Sequence, residues 1–140
     1  MSALTTYRMT PEYENNKFVT LTAGATIQQG SMVAVNASGV AVPASVTSGL
    51  KVVGRAENHA ASGEKVKIRM GVFGWDNDST NAVTAADFGK NAYVVDDHTV
   101  TATAATGQSA VNIVAGVVKG IDEEGLVIVA PAPLTAVGLA

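Results

Sequence analysis

The sequence predicts an all-β protein: a small β-barrel or β-sandwich of two related β-meanders, with an extended N-terminal arm and at most one short helical turn. Three observations predict it. Fourteen glycines recur along the whole chain, with short runs rich in Val, Ile and Thr between them, the pattern of short strands joined by tight turns. No apolar pattern holds a 3.6-residue period for three turns, so helix is scarce. Phrases of the first half return in the second about 60 residues later, and self-similarity at a fixed offset is a primary fold signal.

Each element has its own warrant. Residues 17–22 (KFVTLT) alternate, with Phe18, Thr20 and Thr22 on one side and Val19 and Leu21 on the other. Residues 31–36 and 40–42 flank Ala37, Ser38 and Gly39, a hairpin whose glycine can take positive φ. Pro43 ends the second of these strands or marks an edge, because it cannot donate to a ladder. Residues 50–57 (LKVVGRAE) form a further strand, interrupted by Gly54. Residues 64–75 (EKVKIRMGVFGW) read as one half-buried strand: Val66, Ile68 and Met70 point inward, Lys65, Lys67 and Arg69 outward. Gly71 and Gly74 mark a bulge or bend within it.

Residues 76–81 (DNDSTN) read as a polar loop, and 84–88 (TAADF) as the one helical turn, with Thr84 able to cap the amide of Asp87. Strands resume at 92–95, 99–103, 113–118 and 126–130. The internal likeness pairs GSMVAV (30–35) with GKNAYVV (89–95), VGRA (53–56) with AGVV (115–118), and GEKVKI (63–68) with GLVIV (125–129). The organisation is an arm over 1–16, a single β domain over 17–130 and an extended tail over 131–140.

A chain of 140 residues suits one domain with a core that needs no disulfide. The absence of cysteine excludes thiolate chemistry and Cys-ligated metal. A net charge of −3 is no footprint for phosphate neutralisation, so nucleic acid is not an expected partner. Residues 1–16 lack the apolar core of a signal peptide, and no apolar run reaches the ~18 residues of a membrane span, so a cytoplasmic origin and no membrane are expected.

Few residues are spaced for chemistry. His59 and His98 lack partners at metal-ligand spacing. Asp96, Asp97 and His98 make the nearest approach to a metal or acid/base cluster. On a strand adjacent residues would point to opposite faces and converge poorly, and in a turn they are a solvated polar tip, which is the expected reading. Asp76–Ser79 opens like a calcium loop, yet Asn81 stands at the required glycine and Asp87 at the closing glutamate. A turn in which Asn and Asp bond their own backbone is expected instead. Phe88–Asn91 holds the Gly-Lys of a phosphate loop without its first glycine or its Ser/Thr. Asp122, Glu123 and Glu124 read as an exposed turn. No enzyme, metal or cofactor is expected.

The arm carries Tyr7, Arg8, Met9, Pro11 and Tyr13, residue types suited to docking. The body carries an ordered series of phrases: GSMVAVNASGVAVPA (30–44), GLKVVGRAEN (49–58), GEKVKIRMGVF (63–73), FGKNAYVVDD (88–97) and VAGVVKGID (114–122). This series resembles the small capsid decoration, or cement, proteins of tailed bacteriophages over residues 18–130. The resemblance implies a non-enzymatic virion component on the outer capsid surface. It would clamp neighbouring capsomers, with the major capsid protein and further copies of itself as partners, a homotrimer before a homodimer. The arm residues would then contact the capsid. The alternative is a small ligand- or carbohydrate-binding β module using Trp75 and Tyr93 as stacking surfaces, although a lone Trp beside Gly74 also suits a core or rim anchor.

Overall fold

The computed structural model describes residues 3, 5–7, 9, 18–103 and 111–131. Their order is β1 (Phe18–Thr22), β2 (Met32–Val35), β3 (Ala41–Pro43), β4 (Lys51–Ala56), β5 (Lys65–Arg69), β6 (Phe73–Asn77), a 3-10 turn (Ala85–Asp87), β7 (Asn91–Val94), β8 (Thr99–Thr101), β9 (Val114–Ile121) and β10 (Val127–Ala130). The all-β class and the single short helical turn stand as expected.

The two related meanders become two five-stranded units of one topology. Unit one runs β1-β5-β4-β2-β3; unit two is a closed barrel that, read from β6, runs β6-β10-β9-β7-β8. Pairing registers match residue for residue. Val33 opposes Gly54 as Ala92 opposes Gly116, and each pair is followed by a register shift, from Val33 to Ala34 in one unit and from Ala92 to Tyr93 in the other. The turn before each second strand is tied identically. Gly30 N–H donates to the Ala56 carbonyl and Ala56 N–H to that of Ser31; Gly89 donates to Val118, and Val118 to Lys90. Gly30 and Gly89 both take positive φ, 90° and 85°, where a side chain would be strained.

The bulge glycines have a further reason to be glycine. A Cβ on Gly54 would overlap the Arg69 carbonyl oxygen, and one on Gly116 the Ala130 carbonyl oxygen. Gly54 therefore lets β4 pass over β5 as Gly116 lets β9 pass over β10. Gly54 bends its strand without breaking it, so the expected interruption is a bulge inside β4.

The expected long strand over 64–75 is two strands. β5 closes unit one and β6 opens unit two, with Met70–Val72 turning between them. The period-2 pattern continues through that turn because strands on both sides of it are half-buried, so alternation alone could not mark the boundary. Gly71 is at the bend, but Gly74 pairs with Ile128 inside β6. Asp76 and Asn77 belong to β6 too, and the polar loop starts at Asp78. There the Asp78 carboxylate accepts from the amides of Thr80 and Asn81, the self-bonding turn expected of this sequence.

Two cores result. The interior of unit one holds Ile27, Val33, Ala41, Ala56, Val66 and Ile68. The other core runs from the interior of unit two, with Ala92, Val100, Val118, Val127 and Val129, to the opposite face of β2, with Met32 and Ala34. Thus β2 is buried on both faces and forms the wall between the units. That explains its unbroken apolar run, where β7, its counterpart, alternates exposed Asn91 with buried Ala92.

Candidate functional site

The outer face of unit one is built by the β5 alternation. Val66 and Ile68 are fully buried, which turns Lys65, Lys67 and Arg69 to solvent. Cross-strand register then supplies partners that sequence spacing could not reveal. Phe18 opposes Arg69 across β1 and β5. The Lys67 ammonium lies 4.2 Å from the centre of the Phe18 ring and the Arg69 guanidinium 5.7 Å, within the range of cation–π attraction. Lys65 Nζ donates to Thr22 Oγ1 at 2.9 Å. Arg55 on β4 lies 4.3 Å above the Phe73 ring, and its Nε and Nη2 both donate to Glu57 Oε2. Arg55 and Arg69 are direct cross-strand neighbours. They line a groove of about 370 Å³ together with Met70, Gly71, Val72 and Phe73. The alternation made the β5 cations legible; Phe18, Arg55 and the groove were not.

Charge is divided between the units. From residue 18 to 72 five cations (Lys51, Arg55, Lys65, Lys67, Arg69) face two carboxylates (Glu57, Glu64), a net of +3. From 73 to 131 eight carboxylates (Asp76, Asp78, Asp87, Asp96, Asp97, Asp122, Glu123, Glu124) face two lysines (Lys90, Lys119), a net of −6.

The acidic unit presents two hairpin tips. At the β7–β8 tip, Asp96, Asp97 and His98 converge. His98 Nδ1 lies 2.9 Å from Asp97 Oδ1 and 3.1 Å from Asp96 Oδ1. They are in a turn, where the opposite-face rule for strands does not apply. Asp97, and then Asp96, hold the imidazole above its ordinary pKa of 6.5. The backbone here is structural: Met32 N–H donates to the Asp97 carbonyl and Asp76 N–H to the His98 carbonyl, tying unit one, the tip and β6 together. The cluster is exposed at His98, as expected of a polar tip. At the β9–β10 tip, Asp122 Oδ1 accepts from the amides of Glu124 and Leu126, which leaves Glu123 and Glu124 exposed.

Between the units lies a cavity of about 540 Å³, lined largely by apolar side chains including Met32, Leu50, Val52, Phe73, Trp75 and Ile113. Trp75 is 7% exposed and packs edge-on against Phe73, with ring centres 6.1 Å apart. It is a core anchor, which removes it as an exposed stacking surface. Of the arm residues, Tyr7 and Met9 are almost fully exposed. Arg8, Pro11 and Tyr13 lie outside the described residues, as does the tail beyond Pro131. No helix among the described residues is long and apolar enough to cross a membrane.

Comparison with protein-family models, with curated proteins and with solved structures found no match.

Proposed function

We propose that the chain is a structural virion protein that binds the outer surface of a tailed-phage capsid and holds neighbouring capsomers together. Its partners would be the major capsid protein and copies of itself, a trimer before a dimer. The observation that carries the reading is the ordered series of strand phrases over residues 18–130, which resembles capsid decoration proteins. Two structural features support it. The β body is small and double, and large apolar side chains (Tyr7, Met9) are exposed ahead of it in the chain, as a surface that contacts another protein would require. Multivalent contact by an oligomer would raise avidity without a strong single contact.

The test is binding of the purified protein to undecorated capsids, with occupancy read by cryo-electron microscopy. Density on the outer shell is expected; density inside the shell, or none, overturns the reading. Deleting residues 1–16 is expected to leave the β body folded and to lower occupancy. Unchanged occupancy would remove the arm from the capsid contact.

The apolar cavity favours a second reading, a module for a small apolar ligand. Titration with 1-anilinonaphthalene-8-sulfonate tests it. Saturable one-site binding that quenches Trp75 fluorescence would support this reading, and unsaturable or absent binding would dismiss it.

A further inference from the structure

We propose that the cationic face of unit one docks the acidic β9–β10 tip of a second copy, so that copies associate head to tail. The inference gives the self-contact of the proposed function its two surfaces and does not depend on capsid binding.

The first argument is the arginine pair. Arg55 and Arg69 stand directly opposite each other on neighbouring strands, a placement that destabilises a sheet when the charges are alike. Glu57 answers only Arg55, and through a single oxygen. Among the described residues Arg69 has no carboxylate partner, only the face of Phe18. Both arginines line the same groove of about 370 Å³. Arginine presents a planar fork of donors suited to carboxylate.

The second argument is the surround. Phe18 is 45% exposed and Val72 57%, so apolar surface stands beside the cations. Aromatic and arginine side chains together are the composition of interface cores.

The third argument is the complement. The matching charge is on this same chain, in the opposite unit. Of its two acidic tips, Asp96 and Asp97 are already engaged by His98. Glu123 and Glu124 have no ion pair among the described residues, and Asp122 holds their turn by accepting hydrogen bonds from two backbone amides. The tip therefore offers uncompensated carboxylates on a fixed hairpin. Face and tip are different surfaces, so the contact is heterologous and propagates into a ring or an open chain.

Sedimentation velocity of the full chain without capsids tests the proposal. Association that grows with protein concentration is expected at about 50 mM salt, weakening at least about tenfold near 500 mM as screening shortens to a few ångströms. Arg69→Glu alone, and Glu123→Lys with Glu124→Lys, should each weaken it by about tenfold or more. An equimolar mixture of the two variants should associate again, because one keeps the tip and the other the face. All these positions are exposed, and unchanged circular dichroism confirms folding of each variant. A chain monomeric at every salt concentration, association unaffected by Arg69→Glu, or a mixture that stays apart would overturn the proposal. Because no capsid is present, these failures count against self-association in solution and leave the contact with the capsid protein standing. Conversely, loss of capsid binding on deleting the arm does not affect self-association.

Discussion

Unit one and unit two share strand order, bulge and turn bonding, yet they close differently. Unit two seals its barrel with a parallel pairing of β6 and β8, Asp76 to Thr99 and Asn77 to Val100. Unit one makes a single parallel bridge, Ala23 to Ala41, with Gly24 N–H donating to the Ala41 carbonyl. The equivalent bond in unit two runs from Asp78 N–H to the Val100 carbonyl. The two units therefore share the closing bond and differ in how far the parallel pairing extends. What recurs is the bulged crossing of two hairpins and the apolar set it turns inward. Val33, Ala41, Ala56, Val66 and Ile68 in one unit answer Ala92, Val100, Val118, Val127 and Val129 in the other. The outer faces differ, and there the charges separate.

The strongest way to break this comparison is at the bulge. Gly116 has φ +153°, and an added Cβ would meet the Ala130 carbonyl and the Val129 side chain. Gly116→Ala is expected to lower stability by about 3–4 kcal/mol, combining backbone strain with overpacking. Gly54→Ala meets the Arg69 carbonyl without a positive φ, so it should cost less, about 2–3 kcal/mol. Urea denaturation of both variants checks the order. A neutral result at either site would mean that the two crossings are not equivalent.

Much of this was legible in the sequence. The likeness of VGRA (53–56) to AGVV (115–118) already paired the two bulge glycines. The β5 alternation already showed which cations face solvent. What escaped depended on register and through-space packing. Phe18 comes under Lys67 and Arg69 only when β1 pairs with β5. The break between β5 and β6 was hidden because both strands share one alternation. The convergence of Asp96, Asp97 and His98 depends on the exact path of the turn, which sequence spacing does not encode. The burial of Trp75 and the cavity beside it depend on how one unit lies against the other, which no local pattern encodes.

A second contrast concerns the plug at the end of each unit. In unit one Ile27, fully buried, is held by a reciprocal backbone pair with Ala60, at 2.8 and 3.0 Å. In unit two buried Val83 is held by a side chain. Asn77 Oδ1 accepts from Val83 N–H at 2.8 Å, and Asn77 Nδ2 donates to the Val83 carbonyl at 3.0 Å. A backbone clamp survives a side-chain substitution that leaves the backbone in place; a side-chain clamp does not. Asn77→Ala is therefore expected to cost about 1–2 kcal/mol, the penalty for stranding partly buried backbone groups. Amide exchange should quicken at Val83 and stay unchanged at Ile27. Equal change at both would show that the plugs are coupled through the core, not held separately.

The smallest expected effect lies at the hairpin tips. The β2–β3 tip of unit one is held by the Asn36 side chain, which accepts from the amides of Ser38 and Val40 and does not titrate near neutrality. The β7–β8 tip of unit two holds His98 against Asp97 and Asp96, which raises the imidazole pKa above 6.5. A group whose pKa is raised by folding binds its proton more tightly in the folded state. Its contribution to stability is complete below pH 6.5 and is lost as pH rises through the raised value. The side chain is largely exposed, so solvent screening keeps the effect small. The urea midpoint of the wild type should fall slightly between about pH 5.5 and pH 8.5. His98→Gln should reduce that fall, while Asn36→Ala should lower the midpoint equally at both pH values. If His98→Gln leaves the pH dependence intact, the tip's charge pair contributes nothing, and its backbone bonds to Met32 and Asp76 alone hold the units together there.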